Sequence, residues 1–236
     1  MNSVKHIVLS ARWVSLLVLA VCFWAMVTIA GDSSFYLTSI PVEGADAFAA
    51  SEIVAESGLA GVHVFAADPN EAAKRIGEMP GITSASVSLE WPNVVSIQVT
   101  ETTPIALWKQ NGRTFWIDQD GQIIPARATS SGLLLIESEV DEPLAEDSFV
   151  AEDILAGALL LRELRSNIDR LFYEPGNGLS YQDGRGWRAY FGSGLIMEQK
   201  LAVYETIVDD LIERAVTPAY ISVRNEAKPY YMTSGG

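Results

Sequence analysis

The order of apolar and polar positions divides the chain into stretches of different character. Residues 13–30 form a run of 18 without a charge. A helix of that length reaches about 27 Å at about 1.5 Å per residue, close to the hydrocarbon thickness of a bilayer. This run predicts a membrane helix. A polar connector follows over residues 32–38, and the pattern then becomes that of a water-exposed fold.

Ile40-Pro41-Val42-Glu43-Gly44 reads as a short strand ended by glycine. A helix is expected next, with Ser51 as its cap, Ile53 and Val54 on its apolar face and Gly58 as a left-handed terminus. Asp68-Pro69-Asn70-Glu71 opens a second helix: a capping carboxylate, proline at the first helical position and an acid three residues past the cap. Gly77 and Pro80 close it. Ala85, Val87 and Leu89 then alternate with Ser84, Ser86 and Ser88, as Val95, Ile97 and Val99 do with Ser96, Gln98 and Thr100. Two half-buried strands are implied, joined by a turn at Trp91-Pro92-Asn93. The order strand, helix, helix, strand, strand lets both helices cover one face of a sheet.

A second unit follows without a low-complexity linker. Residues 105–108 and 114–117 flank the hairpin signal Asn111-Gly112, and Asp118-Gln119-Asp120-Gly121 turns the chain into Gln122-Ile123-Ile124. Residues 133–137 read as a strand, the acidic run 137–147 as a solvated loop and residues 154–164 as a helix. Asp183-Gly184-Arg185-Gly186 joins two more strands. Leu201, Tyr204, Val208, Leu211 and Ala215 recur at spacings of three and four, one apolar stripe of a last helix. Residues 220–223 and 229–232 are expected as terminal strand segments, and the strands of this unit as an antiparallel meander.

Charge gives the membrane segment a direction. Lys5 and Arg12 precede it and Asp32 follows, so the short tail belongs in the cytoplasm and the rest outside. A cleaved signal is the competing reading, with Ala30 at the possible cleavage edge. The long apolar stretch and the bulky Phe23, Trp24 and Met26 favour an uncleaved anchor. The 236-residue chain has 16 Lys plus Arg against 30 Asp plus Glu, a formal charge of −14. Without Lys5 and Arg12 the exported part has 14 basic residues against 30 acidic, or −16. Such a surface excludes nucleic-acid binding by counterion release. It is also repelled by anionic head groups, so the exported part is expected to stand off the membrane.

Candidate chemistry is sparse. Cys22, the only cysteine, lies in the apolar run, which leaves no disulfide and no thiolate zinc site. Outside the membrane, His63 in Val62-His63-Val64-Phe65 reads as a packed residue rather than a base. Asp118-Gln119-Asp120-Gly121 resembles the start of a calcium loop, but the twelfth position is Thr129 and not glutamate, so a turn is the better reading. Gly192-Ser193-Gly194 lacks the third glycine of a dinucleotide loop. Among many carboxylates none is singled out as a catalytic pair. No cofactor, metal or small-molecule substrate is expected, and the chemistry points to recognition rather than turnover.

Taken together these spans resemble the FtsQ/DivIB family of bacterial cell division proteins. The resemblance rests on the anchor, on Ile40-Pro41-Val42-Glu43-Gly44, Gly58-Leu59-Ala60-Gly61 and Pro80-Gly81-Ile82, and most specifically on Trp91-Pro92-Asn93-Val94-Val95-Ser96-Ile97-Gln98-Val99 with Glu101. Pro104-Ile105-Ala106-Leu107-Trp108, Trp116-Ile117-Asp118-Gln119-Asp120-Gly121, Lys200-Leu201 and Tyr220-Ile221-Ser222-Val223-Arg224 extend it. It implies an α+β chain: cytoplasmic tail 1–12, transmembrane helix 13–30, connector 31–39, a POTRA (βααββ) domain 40–103, and an antiparallel β domain with flanking helices 104–236. It further implies a non-catalytic scaffold of the divisome in the inner membrane, located at the septum. The POTRA part would serve recruitment, and the β domain would bind FtsB/DivIC-like and FtsL-like bitopic partners and help control septal peptidoglycan synthesis. By position, the partner edge would comprise Ser222, Val223, Arg224, Asn225, Pro229, Tyr230 and Tyr231. Glu90, Thr102 and Asn225 depart from the family pattern, which often has a basic residue, an arginine and, in some members, an aromatic there. The rivals are a membrane-tethered cell-wall hydrolase and the POTRA segment of a secretion or assembly protein, though no barrel-forming run of long strands follows.

Overall fold

The computed structural model describes residues 11–90, 93–145 and 148–233 and separates the chain into two compact units, residues 1–101 and 102–236. Unit 1 begins with helix α1, Ala11–Gly31. Its described side chains are exposed or nearly so along the length, as a lipid-facing helix requires, and Trp13–Gly31 is long and apolar enough to cross a membrane. Beyond it come β1 (Val42–Glu43), α2 (Ala50–Ser57), α3 (Pro69–Gly77), β2 (Ile82–Glu90) and β3 (Val94–Glu101). The strands form one sheet, β1-β3-β2, with β1 parallel and β2 antiparallel to β3.

The start of α3 follows its sequence signals: Asp68 Oδ1 accepts from the N–H groups of Asn70 and Glu71, and Pro69 occupies the first turn. Helix α2 differs. Ser51 lies inside its first turn, Ala49 is the flanking residue and no side chain caps it, while Gly58 takes the expected left-handed conformation at φ 67°. Trp91 and Pro92, expected to turn β2 into β3, lie outside the described residues. The alternating positions fill two clusters, one around Ile53, Ile76, Ile97 and Val99 and one around Leu37, Leu59, Val64 and Val95. Glu101 ties the loop after β1 to the end of β3. Its Oε1 accepts from the N–H groups of Asp46, Ala47 and Phe48 at 2.9–3.0 Å.

Unit 2 carries β4 (Ala106–Gln110), β5 (Arg113–Ile117), β6 (Ile123–Pro125), β7 (Leu134–Ser138), α4 (Glu152–Leu164), β8 (Arg170–Glu174) and β9 (Gly178–Gln182). These are followed by β10 (Arg188–Gly192), α5 (Met197–Glu213), β11 (Pro218–Ser222) and β12 (Tyr230–Thr233). The strands join in one sheet, β12-β11-β10-β9-β8-β7-β4-β5-β6. The α+β architecture is the expected one, but the sheet is mixed rather than a pure meander: β4·β7, β7·β8 and β10·β11 run parallel. For two of these pairs the reason lies in the helices, since α4 links β7 to β8 and α5 links β10 to β11, and a crossover helix returns the chain parallel where a tight turn cannot; β7 instead joins the free side of β4 after the chain has passed through β5 and β6.

Asn111 and Gly112 both have positive φ, 52° and 74°, the backbone that a two-residue hairpin turn demands. Asp118 is occupied as a turn former, its Oδ1 accepting from Asp120 and Gln122 N–H, so the carboxylate serves the backbone. The stripe of α5 is buried at Leu201, Tyr204, Val208 and Leu211. Ala215 falls past the helix end with φ 52°. Strand β8 carried no signal in the sequence. One face of the sheet packs on α4 and α5 through Leu134, Ile136, Leu171, Ala189 and Ile221.

The turn between β9 and β10 is held by a buried carboxylate. Asp183 is 5% exposed; its Oδ2 accepts from Tyr181 OH at 2.9 Å and Tyr204 OH at 2.8 Å, and its Oδ1 accepts from the N–H and Nη1 of Arg185. Trp187 Nε1 donates to Tyr204 OH at 2.9 Å. Burial raises the Asp183 pKa, but the donors from Arg185, Tyr204 and Tyr181 outweigh it and leave the group below its ordinary value. Burial pushes Tyr181 up to about 12 and Tyr204 higher still, so both remain donors.

Candidate partner-binding edge

The last three strands set the geometry of the edge. Strand β11 lies inside the sheet, parallel to β10 and antiparallel to β12 with Ser222 opposite Tyr230, Ile221 opposite Tyr231 and Tyr220 opposite Met232. Among the described residues nothing pairs with the far side of β12. Alternate N–H and C=O groups of an outermost strand point away from the sheet.

All four residues of β12 are exposed, and Tyr230, Tyr231 and Met232 are 47%, 37% and 50% accessible. Tyr231 stands opposite core Ile221 on the helix side, where it helps hold Arg214 charged after the first contribution from Asp210. Tyr230 belongs to the other face. There Tyr190 and Tyr220 meet edge to face at 5.7 Å, and Tyr220 and Tyr230 at 6.1 Å, a ladder of rings running out to the edge. Arg188 continues it inward, its guanidinium 4.0 Å from the Phe172 ring centre and hydrogen-bonded to Glu139.

The seven residues expected at the edge divide into three groups. Ser222 and Val223 are buried, and Val223 N–H donates to Tyr190 O at 2.9 Å, so these two lie one strand inside the free border and present nothing to it. The register places β12 outside them, a pairing that the short loop after Val223 makes easy. Arg224 and Asn225 shape that loop. Arg224 Nη1 donates to Asn177 Oδ1 at 2.6 Å, fixing the β8–β9 turn to the loop. Asn225 Oδ1 accepts from Ala227 N–H at 3.0 Å, and Lys228 N–H donates to Asn225 O, so asparagine here makes a turn instead of offering a ring. Pro229 is exposed beside the strand, and Tyr230 and Tyr231 stand on it.

Other borders are less suited to a guest. At the opposite end of the sheet β6 has Pro125, and the outer side of its start is already bonded: Ile123 N–H donates to Ser148 O and, just ahead of the strand, Val150 N–H to Gly121 O. In unit 1, β2 ends the small sheet, but its exposed positions include Ser84, Ser86 and Ser88, which give an incoming strand no apolar anchor. His63 is a packed residue: its Nδ1 accepts from Phe65 N–H and caps a short helical turn, Val64–Ala66. Gly192-Ser193-Gly194 is internal packing. Ser193 O accepts from the buried Lys200 Nζ at 2.9 Å, and a Cβ on Gly157 would lie 2.2 Å from Gly194 Cα.

One apolar helix long enough to cross a membrane, a two-helix, three-stranded module and a mixed-sheet domain that leaves the outer side of β12 unpaired among the described residues define the class, a POTRA-bearing protein with a candidate membrane span. The sequence comparisons agree. Residues 35–102 match the family described as POTRA domain, FtsQ-type, and residues 106–224 match cell division protein FtsQ/DivIB, C-terminal. Over 229 residues the chain is 24% identical to a cell division protein FtsQ of Chloroflexus aurantiacus, covering 94% of this chain and 82% of that one. It is 24% identical over 208 residues to its namesake in Chloroflexus aggregans, covering 85% and 76%. A third, from Bradyrhizobium diazoefficiens, is 28% identical over 96 residues, covering 40% and 28%. The chain belongs to the FtsQ/DivIB family of cell division proteins.

Proposed function

We propose that this bitopic division protein works as a non-catalytic scaffold, and that the outer border of β12 takes a strand from an FtsB/DivIC-like partner, itself associated with an FtsL-like protein. The observation that carries the reading is the contrast between borders: β12 is terminal, exposed and lined by Tyr230, Tyr231 and Met232, while β6 is closed by Pro125 and the segment after Asp147. Main-chain bonds supply affinity in strand addition, and alternating side chains supply selectivity. Arg224, Asn225 and Pro229 shape the approach; Ser222 and Val223 hold β11 beneath it. Residues 40–103 are the POTRA domain and 104–236 the β domain. The basic residues ahead of the span support a cytoplasmic N-terminus. In this role the protein acts at the septum and transmits partner binding to the control of peptidoglycan synthesis.

A photo-reactive residue at Tyr230, Tyr231 or Met232 of the full chain, irradiated in dividing cells, tests the contact. Crosslinks to an FtsB/DivIC-type protein are expected at β12 and not at Ile123 of β6 or Ser86 of β2. The backbone partition sharpens the test, because proline at successive positions removes an inward and then an outward N–H. One of Tyr231→Pro and Met232→Pro should abolish the crosslink while the fold persists. Crosslinks at β6 or β2, or none at β12, would defeat the proposal.

A further inference from the structure

The end of α1 is bound to the folded part of unit 1 by side chains that the division role does not use. The last carbonyls of a helix lack intrahelical donors. Here two side chains from unit 1 reach them: His63 Nε2 lies 3.3 Å from Ile29 O, and Tyr36 OH donates to Ala30 O at 3.3 Å. His63 Nδ1 accepts from Phe65 N–H, which assigns the ring hydrogen to Nε2 and makes it the donor to Ile29.

Around His63 the rings gather. Its ring stacks on Phe65 at 5.4 Å and on Phe35 at 5.9 Å, and Tyr36 meets it edge-on at 5.1 Å. The cluster is anchored beneath by Leu37, whose N–H donates to Val62 O, and by Val64; both are buried. Phe65 nevertheless remains 61% exposed. With Tyr36 it forms one wall of an apolar groove whose other wall is Cys22, Met26 and Ile29 of α1.

Depth follows from helix geometry. At about 1.5 Å per residue, Met26 lies about 7 Å and Cys22 about 14 Å along the axis from Gly31, the outer end of the span. A ring that shares a groove with Met26 and Cys22 therefore reaches the level where head groups give way to chains. Aromatic side chains with one polar neighbour favour that boundary.

We infer that Phe35, Tyr36, His63 and Phe65 form an interfacial collar that seats unit 1 on the outer leaflet, with the upper chain and glycerol region of a bilayer phospholipid filling the groove beside Phe65. The occupant is argued from continuity, since the second wall of the groove is the membrane helix itself. The expectation that so acidic a part stands off the membrane is then limited to surfaces beyond the collar: charge repulsion is screened within about 8 Å at physiological salt, and a covalent tether holds the collar at its site.

The inference rests on Trp13–Gly31 spanning the bilayer, and the test separates the two. The full chain is placed in phosphatidylcholine nanodiscs with a nitroxide at native Cys22 or, in a Cys22→Ala background, at Ala66→Cys or Ser84→Cys. Relaxation is measured with oxygen and with a water-soluble nickel chelate. Oxygen should dominate at Cys22 and at residue 66, and nickel at residue 84. Adding Phe65→Asp to the Ala66→Cys chain should turn residue 66 to the nickel-dominated pattern, while the same substitution in the chain labelled at native Cys22 should leave that label in oil. Nickel dominance at 66 with Cys22 in oil overturns the collar alone, as does indifference to Phe65→Asp. Shielding of residue 66 from both reagents would mean a second protein copy in the groove and overturns the lipid assignment. Nickel dominance at Cys22 would overturn the span and the collar with it.

Discussion

Asp183 and Glu101 show how single carboxylates hold this protein together by accepting hydrogen bonds from distant parts of their own units. Asp183→Ala strips the acceptor from the Tyr181 and Tyr204 hydroxyls in the interior of unit 2. Losing a buried charged acceptor costs about 3 kcal/mol, which denaturant unfolding of unit 2 should report. The pH dependence has a definite sign. A carboxyl held below its ordinary value when folded contributes its full stability above the unfolded value, about 3.9, and loses it as pH falls through the folded one. The gap between wild type and Asp183→Ala should therefore be constant near neutrality and shrink below about pH 4; a gap that widens on acidification would refute the assignment. Glu101→Ala leaves three backbone N–H groups without their acceptor and should cost about 1–2 kcal/mol in unit 1, readable as faster amide exchange at Asp46, Ala47 and Phe48. Neither role was legible beforehand. Asp183 read as a turn residue, which it is, but its tyrosine partners are set by packing; Glu101 stood out by family likeness only, its partners lying more than fifty residues away.

At the scale of elements, glycines mark where backbones touch. A Cβ on Gly157 of α4 would meet Gly194 Cα at 2.2 Å and its carbonyl oxygen at 2.7 Å, whereas one on Gly77 at the end of α3 meets nothing within 4 Å. The same substitution should thus act with opposite sign. Gly157→Ala is expected to lower the stability of unit 2 by about 1–3 kcal/mol through forced backbone movement. Gly77→Ala should be neutral or raise that of unit 1 by up to about 1 kcal/mol through helix propensity. Thermal or denaturant melts of the two variants check the pair. Elements with local signals were readable in sequence: the uncharged span, the Asp68-Pro69 helix start, the serine-spaced strands, the Asn111-Gly112 hairpin. Strand β8 was not, because both its faces are occupied. Leu171 enters the helix-side core while Phe172 lies under Arg188 on the other face, so no alternation appears. The parallel pairings escaped for a related reason: which strands lie side by side depends on packing between segments some thirty residues apart, and a helix in the pattern marks a crossover only for β7·β8 and β10·β11, since β4 and β7 are separated by two strands and no helix. The border suffered most from this, since Ser222 and Val223 look like the end of a sheet until β12 is added outside them.

For the whole molecule the decisive feature is that its cores are drawn from separate parts of the chain. Among the described residues the clusters around Ile97 and Leu37 take members only from unit 1, and the large cluster around Leu171, Tyr204 and Leu211 only from unit 2. Truncating a fully buried Ile or Leu costs about 2–5 kcal/mol, and the loss spreads as far as cooperative packing does. Ile97→Ala should speed amide exchange in β2 and β3 and leave β9, β10 and β11 as they were; Leu211→Ala should do the reverse. Mass-resolved hydrogen exchange on the full chain in detergent reads both at once, and Trp108, Trp116 and Trp187, all nearly buried in unit 2, give an independent fluorescence signal for the second variant. Because the β12 border is built on the unit 2 core through Ile221 and Tyr231, Leu211→Ala should also weaken crosslinking at β12, while Ile97→Ala should spare it. If either substitution loosened both units together, the cores would be one cooperative system, and partner binding could not be assigned to one unit by mutation of its core.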